Sequence, residues 1–316
     1  MSDDADERPS EQQILALRDR VCTERGLEVL ERFPEGSTGW VGLVRRTGDP
    51  DGSSDGSEPL EGLVLKVTWA HEESRDEALG LRAWSLSDSP APLVPRVIEA
   101  RRHGAISVIL LEQVHPGTTL ARSALSPEQE DEVAAGLLRS LWIPASELPT
   151  AASVPAGAQA HGFRPLSAMC AWWAEEARHR LETDARGLPA PLIARGLGMF
   201  RTLPLETPGP DMLLATDFHH HNVLAAREDP GTSLADWRMI DPKPYVGDPH
   251  YDLLQHMLND DRRLTADPLG FATRMAGLTG LDAERTLRWL LARCVQEAGS
   301  MPGAAEGALQ LAEAGV

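Results

Sequence analysis

The apolar pattern of this 316-residue chain changes period once, near Pro116-Gly117, and that change limits the folds open to it. Before it come short apolar runs, Trp40–Val44, Gly62–Thr68 and Ile106–Leu111, whose length and β-branched content suit strands. Gly/Pro/Asp/Ser breaks, such as residues 47–60, separate them. One helical segment, residues 72–86 with Ala78, Leu79, Leu81, Ala83 and Trp84, lies between the second and third runs. A helix over 10–26, stopped at Gly26, precedes them. After the change, Ser126-Pro-Glu-Gln129 starts a helix whose apolar face is Val133, Ala134, Leu137, Leu138 and Leu141. Residues 143–162 read as a loop, 165–183 and 189–203 as helices whose tryptophans (Trp172, Trp173) pack in the core, and Tyr251 onward as helices. The expected architecture is α+β: an antiparallel sheet with one inserted helix, then a mostly helical half. We place a disordered acidic tail at 1–10, a sheet lobe at 11–114 and a helical lobe at 115–316.

Near Leu213 the pattern returns briefly to strands, around Asp217-Phe-His-His-His-Asn222. A short strand, a turn through Glu228–Gly231 and a second strand ending at Ile240-Asp241 follow. Asp, four residues and Asn, then a hairpin returning to a second Asp, is the spacing of a phosphotransfer catalytic loop. A triphosphate needs Mg²⁺ held by hard oxygen ligands, here Asn222 and Asp241. One further carboxylate, Asp217, must stay free of metal to take the proton of an incoming hydroxyl. Asp-x₄-Asn recurs by chance, and the hairpin context is what gives it weight. Farther on, Asp248 or Asp252 caps a helix or anchors this loop.

Composition narrows the partners. Nucleic-acid binding needs a basic face, and the net charge of −18 argues against such a partner; no apolar run reaches the length of a membrane span. The acidic N-terminus lacks the basic and apolar parts of a signal peptide, so the expected compartment is the cytoplasm. Cys22, Cys170 and Cys294 are too far apart for a zinc knuckle or a disulfide framework. The negative charge either attracts a cationic small molecule or serves solubility alone. Asp211, Glu175, Glu176, Asp252, Asp260 and Asp261 are candidates to line a cation-attracting cleft. Only two of the 30 basic residues are lysines, Lys66 and Lys243, which marks both as positions where a compact ammonium is needed.

The segment from Asp217 to Asp252 resembles that of the aminoglycoside phosphotransferases, especially their streptomycin and hydroxyurea kinase branch. That group carries His-Gly-Asp-x-His-x-x-Asn, Ile-Asp-Pro-Lys-Pro and Gly-Asp-Pro-x-Tyr-Asp; Asp217, His219, Asn222, Asp241, Lys243, Asp248, Tyr251 and Asp252 match. Ala215, Thr216 and His221 depart from it, standing where His, Gly and Gly are usual. The resemblance implies a bilobal protein-kinase-like fold, ATP or GTP with Mg²⁺, and a streptomycin-like aminoglycoside or hydroxyurea as acceptor; the negative charge adds the expectation of a cationic small molecule, and the chain is expected to be a monomer or a homodimer. The resemblance also implies a phosphate-covering turn at Gly36, Ser37, Thr38 and Gly39, and a phosphate-contacting lysine at Lys66 paired with Glu77. It implies as well an adenine-holding hinge at Glu112 to Val114. Two other readings stay open. His219-His220-His221 with His250, Asp217 and Asp241 could bind Zn²⁺ or Mn²⁺ in a hydrolase, or the chain could bind a nucleotide without catalysis.

Overall fold

A computed structural model describes residues 8–33, 39–47, 62–87, 89–150, 160–206 and 208–316. The N-terminal sheet consists of β1 (Leu27–Arg32), β2 (Gly39–Arg46), β3 (Leu63–Trp69), β4 (Val97–His103) and β5 (Ile106–Glu112). Its order is β1-β2-β3-β5-β4, with every neighbouring pair antiparallel. Side chains alternate across a strand, so the two faces of this sheet have different fates. Trp40, Val44, Leu65, Val67, Val108 and Leu110 face Ile14 and Leu17 of α1 (Glu11–Arg25). That helix starts at a Ser10 capping box and ends at Gly26, whose φ of 58° is the left-handed cap that glycine takes without strain. Lys66, between Leu65 and Val67, faces the other way, as does Ile109, its partner on β5.

The helix that follows β3, α2 (Glu77–Ser85), belongs by packing to the other half of the molecule. Leu81 and Trp84 lie in the core of the helical half, and the Trp84 indole donates to the Leu141 carbonyl at 2.7 Å. A Cβ on Gly80 would come within 2.4 Å of Pro244 Cγ, so the absence of a side chain lets α2 seat against the segment after Asp241. The sheet's inserted helix is thereby fixed to the opposite lobe at its middle and its end.

The helical half holds α3 (Pro127–Leu141), α4 (Leu166–Thr183), α5 (Ala190–Thr202), α6 (Leu254–Leu258), α7 (Asp261–Ala266), α8 (Pro268–Thr279), α9 (Ala283–Glu297) and α10 (Ala304–Glu313). Their core includes Phe200, Trp289, Leu290 and Leu291, all fully buried. Between helices run β6 (Ile143–Pro144), β7 (Arg164–Pro165), β8 (Met212–Leu214) and β11 (Tyr245–Gly247), in the order β6-β8-β11-β7. A separate hairpin pairs β9 (Val223–Ala225) with β10 (Trp237–Met239).

Three features differ from the sequence reading. The edge strands β1 and β4 carry alternating charges and few buried residues, so pairing with β2 and β5, not their own pattern, makes them strands. The stretch read as a loop at 143–162 contributes β6 to the small sheet. Trp172 is 52% exposed, lying edge-on to Trp173 at 4.4 Å, so it is no core residue.

Candidate active site

The cleft between the halves is built around Lys66. Its Nζ lies 2.5 Å from Glu77 Oε1 on α2 and 2.6 Å from Asp241 Oδ1 after β10. Lys66 and Glu77 are 8% and 2% exposed. Burial alone would favour a neutral lysine, but Asp241 and Glu77 outweigh it and raise the Lys66 pKa, so the ammonium persists. The same ammonium holds the Asp241 carboxyl below the usual carboxylate range.

Asn222 and Asp241 are brought together by the β9–β10 hairpin. Val223 pairs with Met239, and the Ile240 N–H donates to the Asn222 carbonyl at 2.8 Å. The Asn222 amide donates to the Asp217 carbonyl at 3.0 Å, which leaves its Oδ1 to ligate. Asp241 turns with φ of 52°, a left-handed conformation costly for a residue with a side chain and typical of functional turns. Its carboxylate is 52% exposed to the cleft. An amide oxygen and a carboxylate oxygen on adjacent turns are hard donors of the kind that would hold Mg²⁺.

Asp217 sits on the loop after β8. One carboxylate oxygen meets Lys243 Nζ at 2.8 Å; the other is 3.8 Å from His219 Nε2. Burial works against the Lys243 charge and the Asp217 carboxylate more than restores it. Burial likewise keeps the His219 imidazole neutral by lowering its pKa.

Asp252 is what holds this loop in shape. Fully buried, it accepts from the Ala215 N–H at 3.0 Å, the Thr216 N–H at 2.7 Å and the Trp142 indole at 3.1 Å. Thr216, with φ of 52°, donates its hydroxyl proton to the Lys243 carbonyl. The departures at Ala215 and Thr216 therefore leave the anchor intact, since Asp252 reads backbone there. Asp248 has a different task, accepting from the Trp289 indole at 2.6 Å, from Arg285 and from the His250 N–H. Asp252→Asn keeps one acceptor oxygen and points an amide at a buried donor. It should cost about 1–3 kcal/mol, read from the denaturant midpoint, together with a fall in kcat as the loop loosens.

Of the remaining expected residues, Gly36, Ser37 and Thr38 lie outside the described residues. Gly39 opens β2 opposite Thr68, and a Cβ there would meet the Val67 carbonyl at 2.4 Å. Glu112 ends β5 and pairs with Arg96 at 3.4 Å. Gln113 donates its N–H to the Gly62 carbonyl at 2.9 Å, and Val114 follows in the connector between the lobes.

The histidines do not converge. The His219 and His220 rings lie 5.9 and 4.5 Å from that of His221, at steep angles, and His220 turns toward Glu130 and His256. His250 is taken up by Asp248 at 2.5 Å and by the Asp282 N–H at 3.2 Å. Among the described residues no group of three or more His, Cys, Asp or Glu is placed to hold a metal ion, so the histidines lend the hydrolase reading no support. Several carboxylates expected to attract a cation are also committed. Asp252 holds the loop, Glu175 binds Arg178 and Arg201, and Asp260 caps α7.

Sequence reasoning missed Arg164 of β7. Its Nε meets Asp76 at 2.9 Å and its Nη1 meets Glu72 at 2.7 Å, just before Glu77, while its guanidinium lies 4.5 Å from the Tyr245 ring. No pattern around Arg164 announces it, because its partners lie 88 and 92 residues away.

A strand lysine clamped between a helix glutamate and an aspartate of the opposite lobe is the arrangement of protein-kinase-like phosphotransferases. The family described as aminoglycoside/hydroxyurea antibiotic resistance kinase matches residues 62–302, and the chain belongs to that family. It is 31% identical over 257 residues to hydroxyurea phosphotransferase of Kitasatospora aureofaciens, covering 77% of this chain and 62% of that protein, less than two thirds of its length. To streptomycin 6-kinase of Streptomyces griseus it is 32% identical over 242 residues, covering 74% and 68%. The fold matches that of a thermostable aminoglycoside phosphotransferase APH(4)-Ia in ternary complex with AMP-PNP and hygromycin B. The TM-score there is 0.55 at 15% identity, covering 95% of this chain and 99% of that one. The expected protein-kinase-like fold is thus the one the chain adopts. Among the described residues no helix is long and apolar enough to cross a membrane.

Proposed function

We propose that the chain transfers the γ-phosphoryl group of ATP, with GTP as the alternative donor, to a hydroxyl group of a small cationic acceptor. One observation carries this reading: Lys66 and Asp241, 175 positions apart, meet at 2.6 Å in a cleft that also presents Asp217 and Asn222. Lys66 grips the α- and β-phosphates, and Glu77 keeps it extended. The backbone of Glu112 to Val114 receives the adenine ring. Asn222 and Asp241 would hold Mg²⁺, which when bound neutralises charge on the triphosphate. Asp217 orients the acceptor hydroxyl and takes its proton as the oxygen attacks phosphorus. Positioning and fixed charge supply most of the acceleration. On this reading residues 11–114 bind nucleotide, and residues 115–316 supply catalysis and the acceptor site.

The two curated relatives are named for streptomycin, a guanidinium-bearing cation, and hydroxyurea, which is neutral. Glu73, in electrostatic reach of Lys243 and bound to the Trp173 indole at 3.1 Å, favours a cation at the acceptor end. With ATP and Mg²⁺, kcat/KM for a streptomycin-type acceptor should exceed that for hydroxyurea or a neutral sugar. The advantage should shrink with added salt, because exposed charges are screened over about 8 Å at physiological ionic strength. Neutral acceptors that match the cation at every ionic strength would overturn the charge argument alone. A protein that neither binds nucleotide nor consumes ATP with any acceptor would overturn phosphotransfer itself.

A further inference from the structure

We propose that Lys243 is a catalytic residue whose ammonium touches both the Asp217 carboxylate and the phosphoryl group in transfer. The inference deepens the phosphotransfer reading and rests on it. In a chain where arginine supplies all but two of 30 basic side chains, both lysines point into this one cleft. Lys66 is held by Glu77 and Asp241, and the nearby Arg164 by Asp76 and Glu72, so neither is available at the acceptor end. Lys243 stands there instead, its Nζ 2.8 Å from Asp217 and its side chain 29% exposed.

The segment carrying it is fixed on both sides. The Lys243 N–H donates to the Ala215 carbonyl at 2.9 Å, and its own carbonyl accepts from the Thr216 hydroxyl. Pro242 and Pro244 flank it, and Pro244 abuts Gly80 of α2. The lysine is therefore presented by a stiff backbone, two residues beyond Asp241 and directly beside the base. In the step itself the acceptor oxygen bonds to the γ-phosphorus as its proton passes to Asp217. The bond from that phosphorus to the bridging oxygen breaks, and its electron pair leaves with ADP. Charge spreads over the equatorial oxygens, within reach of the Lys243 N–H donors, and a fixed cation there lowers the barrier.

Calorimetry with AMP-PNP and with ADP, each with Mg²⁺, separates this role from a structural one, since only AMP-PNP carries a γ-group. In K243M the affinity for AMP-PNP should fall about tenfold, the worth of one charge-assisted hydrogen bond, while ADP binds as before. Phosphoryl transfer should fall about 10²-fold, and K243R should recover part of the AMP-PNP affinity because it keeps the charge. K243Q gives the same comparison should K243M fail to fold. Equal loss for both nucleotides with a lowered Tm would mean that Lys243 only props the loop, and an unchanged ratio with normal turnover would also overturn the proposal. Asp217→Asn run alongside separates the two levels. If it abolishes turnover while K243M is normal, only the lysine assignment fails; if the unaltered protein consumes no ATP with any acceptor, the underlying reading fails as well.

Discussion

Asp217→Asn should lower kcat by about 10³-fold, within the 10²–10⁴ that a positioned general base contributes, while nucleotide affinity changes little. The asymmetry follows from the geometry. Asp217 makes no contact with Lys66 or Asp241, and its carboxylate partners are Lys243 and, more distantly, His219. The loop should survive the change, because Asp252 holds Ala215 and Thr216 through their backbone and Asn222 bonds to the Asp217 carbonyl, not its side chain. An amide cannot take the hydroxyl proton, and it removes the charge facing Lys243. Steady-state kinetics at saturating ATP, paired with ADP binding, check the split. Near-normal turnover in the variant would remove Asp217 from the mechanism.

The second large effect is expected at Lys66. Lys66→Met removes the cation shared by Glu77 and Asp241, and Glu77 has no water to turn to. Breaking a buried pair by deleting one partner costs about 3–5 kcal/mol, most of it the penalty on the carboxylate left behind. Asp241 opens to the cleft and contributes less to that penalty. Activity should fall about 10²–10³-fold with weaker ADP binding, because the phosphates lose their fixed cation and α2 its tie to the sheet. Lys66→Arg should not rescue it, since a planar fork does not fit a point where two carboxylates converge on one nitrogen. Denaturant midpoints read the first effect and calorimetry the second. A variant with wild-type stability and ADP affinity would contradict both the buried pair and its role.

Much of the site was legible because its parts are local or periodic. Asp217, Asn222 and Asp241 are separated by one short hairpin, so their spacing alone constrains where they can lie. Lys66 stood out because lysine is rare in this chain and its strand neighbours are apolar, and the structure turns it away from Leu65 and Val67, which face α1. The capping box at Ser126 and the glycine stop at Gly26 are local chemistry, and the structure has both. The edge strands escaped notice because solvent lets their side chains be charged. Trp172 was misread because a large aromatic is core only if something packs over it.

The sequence by itself determined the change from a strand-rich to a helical half, the hairpin that pairs Asn222 with Asp241, and the place of Lys66 within a strand. These rest on periods of two and near four and on short spacings, which are properties of a few neighbouring residues. Only the tertiary structure decided which of many carboxylates does what. Asp252 is desolvated beneath the loop and Asp248 beneath α9, while Glu175 is neutralised at the surface by arginines. It also decided that α2 is tied to the helical lobe, through Gly80 against Pro244, Trp84 against Leu141 and Arg164 against Asp76. The physical reason is that desolvation and pairing depend on what surrounds a charge, and those surroundings come from segments as much as 175 residues away that no local pattern records.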